Sequence, residues 1–136
     1  MNRILVVEDN PADVFLIREA FSSAGLDNDY LVSFAGDGEE ALEKLAQLRT
    51  ESLCLVLLDL NLPKSGGFDV LQSIRADAAL RHALVVTWTS SLAPEEAQRL
   101  MDMGVNHHLV KPMRLEEYAG IGTLIRQMLA NRNTVA

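Results

Sequence analysis

The sequence predicts an α/β protein built on a doubly wound, five-stranded parallel sheet. Two observations carry this prediction. Five short runs rich in branched aliphatic residues alternate along the chain with five amphipathic segments, which is the pattern of βα units with helices on both faces of one sheet. The third run, LCLVLL at 53–58, is apolar at every position, as expected of a strand that is covered on both faces.

The predicted strands are short, and four of them are followed by polar residues. They lie at residues 3–8, 30–35, 53–59, 83–89 and 105–110. The run at 30–35 is less apolar than the others, which is typical of a strand at the edge of a sheet. Because all strands of a parallel sheet run in the same direction, their carboxyl ends meet along one side, where α/β proteins form their sites.

Each strand is followed by a segment with apolar residues at helical spacing. The first helix ends at Gly25, a residue suited to the C-terminal cap, and either Asn10 or Asp13 is suited to cap its start. The fourth helix has Pro94 in its first turn, where proline is favoured. The last helix begins at about Leu115.

Size and composition fit one globular domain. The chain has 136 residues, enough to bury a core without a disulfide or a structural metal, and we assign 1–130 to the domain and 131–136 to a short, frayed tail. Cys54 is the only cysteine, so no internal disulfide can form. No apolar run reaches the roughly 20 residues of a membrane helix, and the first run is too short for a signal peptide, so we expect a cytoplasmic protein. The net charge of −7 argues against nucleic acid as a direct partner.

Charged and hydroxyl side chains stand at the ends of four predicted strands: Glu8-Asp9, Asp59, Thr89-Ser90 and Lys111-Pro112. Neighbouring strands lie about 4.8 Å apart, so these side chains can surround one small volume. Three carboxylates and one lysine leave a charge of about −2, and carboxylates that close raise each other's pKa unless a cation neutralises them. Oxygen ligands without a set of histidines or cysteines favour Mg²⁺ over zinc.

This arrangement indicates phosphoryl chemistry at Asp59. With a metal ion and Lys111 in place, the site can bind the equatorial oxygens of a phosphoryl group while the Asp59 carboxylate attacks phosphorus in line, which gives an acyl phosphate. Thr89 is suited to donate a hydrogen bond to a phosphoryl oxygen. Each residue alone is as readily explained as a helix cap or a surface charge. Their coincidence at four strand ends favours a site.

Four short motifs extend this interpretation to a family. They are VVEDN at 6–10, LLDLNLP at 57–63, Thr89-Ser90, and VKP at 110–112. Each motif is weak alone, and together they are specific. The combination, which spans nearly the whole chain, resembles the receiver domains of two-component response regulators. The resemblance implies a (βα)5 flavodoxin-like receiver fold.

The resemblance also implies how the acidic residues act. It implies that Asp59 accepts a phosphoryl group from the phosphohistidine of a sensor histidine kinase. The implied Mg²⁺ ligands are Asp9, Asp59 and the backbone carbonyl of Asn61, with Glu8 acting through water. On this basis Asp59 and Lys111 are expected to carry the chemistry.

The switch residues of the family are placed by their distance from the lysine. Counting back 22 residues from Lys111, the separation usual in the family, reaches Thr89 as the switch hydroxyl, with Thr87 as the alternative. Three residues before the lysine, where receivers commonly carry Tyr or Phe, this chain has His108. Imidazole is smaller and titrates near neutral pH, so the usual coupling between hydroxyl and aromatic ring is not expected in its ordinary form.

A finer resemblance concerns the partner. The phrase EDNPAD at 8–13 and the run Thr89-Ser90-Ser91 resemble most the stand-alone receivers that are paired with bacterial phytochrome-type kinases. Those relatives often dimerise through the fourth helix, the fifth strand and the last helix, so we expect a homodimer through the same face. The prediction is therefore a single-domain response regulator, not an enzyme, whose output is a changed protein contact.

Three alternatives remain open at this stage. A phosphorelay intermediate or a phosphate sink would use the same residues. A small aspartyl-phosphate phosphatase would need a second aspartate two residues after the nucleophile, where Asn61 cannot act as a general acid. A flavodoxin-like cofactor binder would need a phosphate-binding loop after the first strand, where Glu8-Asp9 would repel a phosphate.

Overall fold

The computed structural model describes residues 2–62 and 66–134, the last two by their backbone alone. Its strands are β1 (Arg3–Val7), β2 (Leu31–Ala35), β3 (Leu53–Asp59), β4 (Leu84–Thr89) and β5 (His107–Val110). Its α-helices are α1 (Pro11–Ser23), α2 (Leu26–Asp29), α3 (Gly38–Leu48), α4 (Gly67–Ala76), α5 (Pro94–Asp102) and α6 (Ala119–Thr134). A 3₁₀ turn (Leu115–Tyr118) precedes α6. No helix of these residues is long and apolar enough to cross a bilayer.

The five strands form one parallel sheet in the order β2-β1-β3-β4-β5, which confirms the predicted fold class. The chain moves from β1 outward to β2 and then returns to place β3 on the other side of β1. The neighbouring strands β1 and β3 therefore mark the point where the strand order reverses, and open α/β sheets form their sites outside the carboxyl ends at such a point. Glu8 and Asp59 stand at these two ends.

The core has two layers, one on each face of the sheet. Successive residues of a strand point to opposite faces, and β3 shows this directly: Leu55 and Leu57 pack with the α1 and α6 side, whereas Val56 and Leu58 pack with the α3, α4 and α5 side. All four side chains are fully buried. Burial on both faces explains why this strand is apolar at almost every position.

The structure decides which of the two candidate residues, Asn10 or Asp13, caps the start of α1. The Asn10 side chain accepts hydrogen bonds from the backbone N–H groups of Ala12 (2.9 Å) and Asp13 (3.3 Å), so Asn10 is the N-terminal cap. Asp13, in the first turn, keeps its carboxylate free for other partners. At the other end, Gly25 follows α1 with φ 75°, the left-handed conformation that favours glycine.

Two glycines allow close approaches that a side chain would block. A Cβ at Gly67 would lie 2.7 Å from the Cα of Leu60 and 2.8 Å from the carbonyl oxygen of Asp59, so glycine lets α4 begin directly against the end of β3. A Cβ at Gly122 would overlap the backbone carbonyl of Ala20, so this glycine lets α6 pack tightly on α1. The close packing offsets the roughly 1 kcal/mol that glycine costs inside a helix.

The structure differs from the prediction at the carboxyl-terminal end. The predicted last helix is divided into the 3₁₀ turn and α6, and the predicted frayed tail at 131–136 is wrong as far as Thr134, because α6 continues to that residue. Met128 and Leu129 are buried, and Arg132 donates a 2.5 Å hydrogen bond to the carbonyl oxygen of Cys54. This bond ties the last turn to β3. The remaining residues 135–136 lie outside the described part of the chain.

Candidate phosphoacceptor site

The structure brings the acidic strand ends together. Asp59 is the last residue of β3 and is 2% exposed, and Glu8, just after β1, is equally buried, whereas Asp9 is exposed. Carboxylate oxygens of Glu8, Asp9 and Asp59 all lie within 4.8 Å of one another. These three side chains therefore converge at one edge of the sheet, as predicted from the strand ends.

Lys111 lies between the carboxylates. Its Nζ is 3.0 Å from Oε1 of Glu8, 3.1 Å from Oδ2 of Asp59 and 3.1 Å from Oδ2 of Asp13. Its backbone N–H donates a 2.8 Å bond to the carbonyl oxygen of Thr89, which continues the pairing of β4 with β5 and aims the side chain at the site. An ammonium group has three protons, and here three different carboxylates accept them.

The second oxygen of Asp59 and the hydroxyl of Thr89 are held through Asn61. The backbone N–H of Asn61 donates a 2.8 Å hydrogen bond to Oδ1 of Asp59, and the Asn61 side-chain amide donates a 2.8 Å bond to Oγ1 of Thr89. Thr89 is 2% exposed. One residue therefore fixes both the acceptor carboxylate and the predicted switch hydroxyl.

The buried charges shift each other's pKa. Burial, together with the hydrogen bond and negative charge of Asp59, holds the pKa of Glu8 well above its usual range, although Lys111 opposes the shift. Burial works to lower the pKa of Lys111, but hydrogen bonds and charges from Glu8 and Asp59 outweigh it and raise that pKa. The raised pKa of Glu8 fits the geometry, in which the carboxylates of Glu8, Asp13 and Asp59 share the single positive charge of Lys111.

The donor set suits a hard divalent cation. Glu8, Asp9 and Asp59 offer only carboxylate oxygens, and Mg²⁺ prefers one or two carboxylates with its other positions filled by water and phosphate. No histidine or cysteine belongs to this group of described residues, which disfavours zinc. The exposed side chain of Asp9 leaves the cluster open to an ion from solvent. The excess negative charge and the oxygen ligands together fit the predicted ion.

Sequence reasoning missed three residues of the site: Asp13, Trp88 and Tyr118. The indole Nε1 of Trp88 donates a 3.4 Å hydrogen bond to Oε2 of Glu8, and the Tyr118 hydroxyl donates a 2.8 Å bond to Oδ1 of Asp13. The rings of Trp88 and Tyr118 meet edge to face, with centroids 6.0 Å apart. One signal was present for Asp13: with Asn10 as the cap, it stands three residues later, where an acidic side chain reaches back toward the helix start.

The predicted switch residues, Thr89 and His108, lie on the α3, α4 and α5 face of the sheet, opposite to Trp88. Nδ1 of His108 is 2.8 Å from Oγ1 of Thr87, its neighbour in strand register. Thr89, the predicted switch hydroxyl, bonds to Asn61 and pairs in register with Val110. The structure therefore places His108 against the alternative hydroxyl, and burial lowers the pKa of this imidazole.

The fold and the strand-end geometry together define a class of protein. A family model for the response regulator receiver domain matches residues 4–120. The chain belongs to this family, the receiver domains of response regulators, whose partners are histidine kinases.

The chain is similar to phytochrome response regulators. The crystal structure of the phosphorylated cyanobacterial phytochrome response regulator RcpA superposes with a TM-score of 0.83 and 33% identity, covering 94% of this chain and 93% of RcpA. Response regulator Rcp1 of Synechocystis sp. is 32% identical over 84% of this chain and 79% of Rcp1. The crystal structure of its Mn²⁺-bound form superposes with a TM-score of 0.78 at 30% identity and covers 91% of each chain.

Curated relatives outside the phytochrome group also match. The Probable methanogenesis regulatory protein FilR2 of Methanothrix harundinacea is 38% identical over 84% of this chain and 74% of FilR2. Other relatives are longer, since the match covers 24% of one and 46% to 52% of several others. This chain therefore spans about half or less of the length of these relatives.

Proposed function

We propose that this protein is a response regulator that accepts a phosphoryl group on Asp59 from a sensor histidine kinase and signals through changed protein contacts. One observation carries the proposal. A buried strand-end carboxylate has one oxygen on a backbone N–H and the other 3.1 Å from a lysine ammonium, with two further carboxylates within 4.8 Å. The arrangement orients an anionic nucleophile beside groups that bind an incoming phosphoryl group.

The proposed transfer needs no proton from the site. A carboxylate oxygen of Asp59 forms a bond to phosphorus, the bond between phosphorus and the donor's leaving atom breaks, and its electron pair stays with the donor. Lys111 pairs with the phosphoryl oxygens, and the Thr89 hydroxyl, on release from Asn61, donates a hydrogen bond to them. Two contacts support these roles. Lys111 donates a hydrogen bond to Asp59, and Asn61, whose backbone N–H bonds to Asp59, also donates to Thr89.

Mg²⁺ is the proposed cofactor. Asp9, Asp59 and the backbone carbonyl of Asn61 would hold it, with Glu8 acting through water. When bound, the ion neutralises charge on the transferring phosphoryl group. The oxygen-only donor set supports this assignment.

A phosphorylation assay tests the central proposal. Incubation with Mg²⁺ and acetyl phosphate should give an acid-stable, base-labile adduct that adds one phosphoryl group to the intact mass, and Asp59→Asn should abolish it. Asp27→Asn, at an exposed position on α2, is the matched control and should label like the wild type. Labelling that survives Asp59→Asn would disprove the acceptor assignment.

The proposed partner is a histidine kinase of the phytochrome type, and the proposed location of the protein is the cytoplasm. Similarity to the phytochrome response regulator RcpA over 94% of the chain supports this. Phosphotransfer from a purified phytochrome kinase should be faster than transfer from kinases of other sensory classes. Equal rates across such a panel would remove the finer assignment and leave the receiver function intact.

A homodimer is the proposed form of output, through α5, β5 and α6. Two observations support it: Val110 on β5 is 62% exposed and Leu124 on α6 is 37% exposed, and both line an apolar groove above the buried ring of Trp88. Sedimentation with and without beryllofluoride, a phosphoryl mimic, should show a larger dimer fraction in its presence. A monomer under both conditions would exclude self-association as the output.

The same residues would also serve a phosphorelay intermediate or a phosphate sink. A phosphatase that turns over a substrate is the least supported of the alternative functions. Asn61 stands where such a phosphatase needs a second aspartate, and its amide has no acidic proton to give to a leaving group. Transfer of the label from Asp59 to a second histidine protein would identify a relay, and its loss to water alone would identify a sink. Turnover of a phosphomonoester would identify an enzyme instead.

A further inference from the structure

The feature that the proposed chemistry leaves unexplained is the third carboxylate on Lys111. Asp13 comes from the first turn of α1, not from a strand end, yet its Oδ2 lies as close to the ammonium as Asp59 does, at 3.1 Å. Its side chain is 14% exposed, against 0% for Glu8 and 2% for Asp59. Of the three partners of Lys111, Asp13 is therefore the one that water can reach.

Asp13 is itself held from the other side. Its Oδ1 accepts the 2.8 Å bond from the Tyr118 hydroxyl, so each carboxylate oxygen has one donor. Burial alone would raise the pKa of Asp13, but the hydrogen bonds that it accepts from Tyr118 and Lys111 outweigh burial and lower that pKa. Tyr118 is fixed in turn, because it is 8% exposed and its ring meets Trp88 edge to face. The chain Lys111, Asp13, Tyr118 thus links the site to the 3₁₀ turn before α6.

We propose that Asp13, anchored by Tyr118, is a positioning residue that holds Lys111 in the resting site and competes with the phosphoryl group on Asp59 for the ammonium. The inference rests on the proposed function. All three protons of the ammonium are engaged, so a phosphoryl oxygen can gain one only if a present partner loses it. The contact to the solvent-accessible carboxylate costs least to give up, since water can replace the lost donor.

This exchange gives phosphorylation a route to α1 and the 3₁₀ turn. When Lys111 moves to the phosphoryl group, Asp13 loses its cation and keeps only the Tyr118 hydroxyl among these partners. The environment of Tyr118 then changes although it lies outside the reacting groups. The route leaves the site on the α1 and α6 face of the sheet, opposite to Thr87 and His108.

The affinity for a phosphoryl mimic tests the competition. Asp13→Asn keeps the size of the side chain and its acceptor for Tyr118 but removes the charge that holds Lys111, so beryllofluoride with Mg²⁺ should bind about threefold to tenfold more tightly, the worth of one partly solvated charge-assisted bond. Asp27→Asn removes an exposed acid from α2 and should leave the affinity unchanged. Thermal unfolding in the absence of ligand establishes that each variant is folded.

Tyr118→Phe separates positioning from plain charge. It keeps the ring against Trp88 and the full charge of Asp13 but removes the hydroxyl that orients the carboxylate, so binding should tighten about twofold, the effect of a weakened partner. In the Asp13→Asn background the same change should add nothing, because the two residues act through one contact. An equal gain in both backgrounds, or no gain in either single variant, would overturn the inference.

A spectroscopic signature reports the proposed route directly. The chain has two tyrosines, so protein labelled with 3-fluorotyrosine gives two ¹⁹F signals, and Tyr30→Phe assigns them. Beryllofluoride should shift the Tyr118 signal in the wild type and shift it less in Asp13→Asn, with Tyr30 as the internal reference.

The two levels of the proposal fail differently. A wild-type protein that forms no acyl phosphate and binds no beryllofluoride would overturn the proposed function and this inference with it. A wild-type protein that binds the mimic while the Tyr118 signal stays fixed would overturn the inference alone. Unchanged mimic affinity in Asp13→Asn would do the same.

Discussion

The two faces of the sheet meet the candidate site in different ways. On the α1 and α6 face, Trp88 and Tyr118 hydrogen-bond to charged side chains, the carboxylates of Glu8 and Asp13. On the α3, α4 and α5 face, Thr89 bonds to a neutral amide and Thr87 to a neutral imidazole. On the first face the hydrogen bonds therefore reach the acidic groups of the site, whereas on the second face they join threonine hydroxyls to neutral groups.

This difference bears on how a charge at Asp59 is sensed. Hydrogen bonds to ions are roughly twice as strong as those between neutral groups, and they respond directly when an anion is added nearby. On the second face, Nε2 of His108 is buried without a partner among the described residues. That face is therefore held less firmly, and its polar groups can rearrange at lower cost.

Breaking the centre of the charged face should have the largest effect on stability. Lys111→Met keeps the length of the side chain but leaves three carboxylates without their shared cation. We expect a loss of about 2–4 kcal/mol in the free energy of unfolding at pH 7, somewhat less than for a fully buried pair because protons and water compensate part of the charge. Urea unfolding measures the change.

The matched control for this prediction is Lys44→Met. The ammonium group of Lys44 donates a 2.6 Å hydrogen bond to the carbonyl oxygen of Phe34 and has no carboxylate partner among the described residues. Its loss should cost about 1 kcal/mol, the worth of one hydrogen bond. If both variants lose the same free energy, the acid cluster does not depend on Lys111 and the contrast between the faces is wrong.

Adjacent residues of β4 allow the two faces to be compared directly. Trp88→Phe removes the donor to Glu8 and part of the fully buried ring, and we expect a loss of about 1–2 kcal/mol. Thr87→Val removes the hydroxyl partner of His108 at nearly constant volume, and we expect a loss of about 1 kcal/mol. Unfolding in urea gives both values.

The same two variants should separate clearly in metal binding. Trp88 helps to hold Glu8, one of the three clustered carboxylates, so Trp88→Phe should change the apparent affinity for Mg²⁺. Among the described residues, the Thr87 side chain hydrogen-bonds only to His108. Thr87→Val should therefore leave the affinity for Mg²⁺ unchanged. Equal affinities in both variants would show that the charged face does not influence the cluster.

The parts of the site that could be predicted from the sequence are those that depend on topology alone. Glu8, Asp59 and Lys111 each stand at the end of a strand, and a parallel sheet brings all such ends to one edge. No knowledge of side-chain packing was needed for their convergence. Their roles in phosphoryl transfer remain predictions that the assays above test.

The parts that escaped prediction depend on helix packing. Tyr118 reaches Asp13 only because the segment after β5 forms a 3₁₀ turn, and the sequence predicted an uninterrupted helix there. Glycine is disfavoured inside a helix, yet the lack of a side chain at Gly122 lets α6 lie against Ala20. Close approaches of this kind are set by the assembled core and leave no periodic signal in the sequence.

The smallest expected effect concerns pH and the neutral face. Burial lowers the pKa of His108 in the folded protein below its ordinary value of 6.5, so the unfolded chain takes up a proton first as the pH falls. The contribution of His108 to stability is therefore complete above pH 6.5 and decreases below it. The wild type should lose more free energy of unfolding between pH 7 and pH 5 than His108→Gln, which keeps a hydrogen-bonding group for Thr87. His82→Gln, at an exposed position, should keep the wild-type difference, and equal losses in all three proteins would show that the imidazole is not held neutral by the fold.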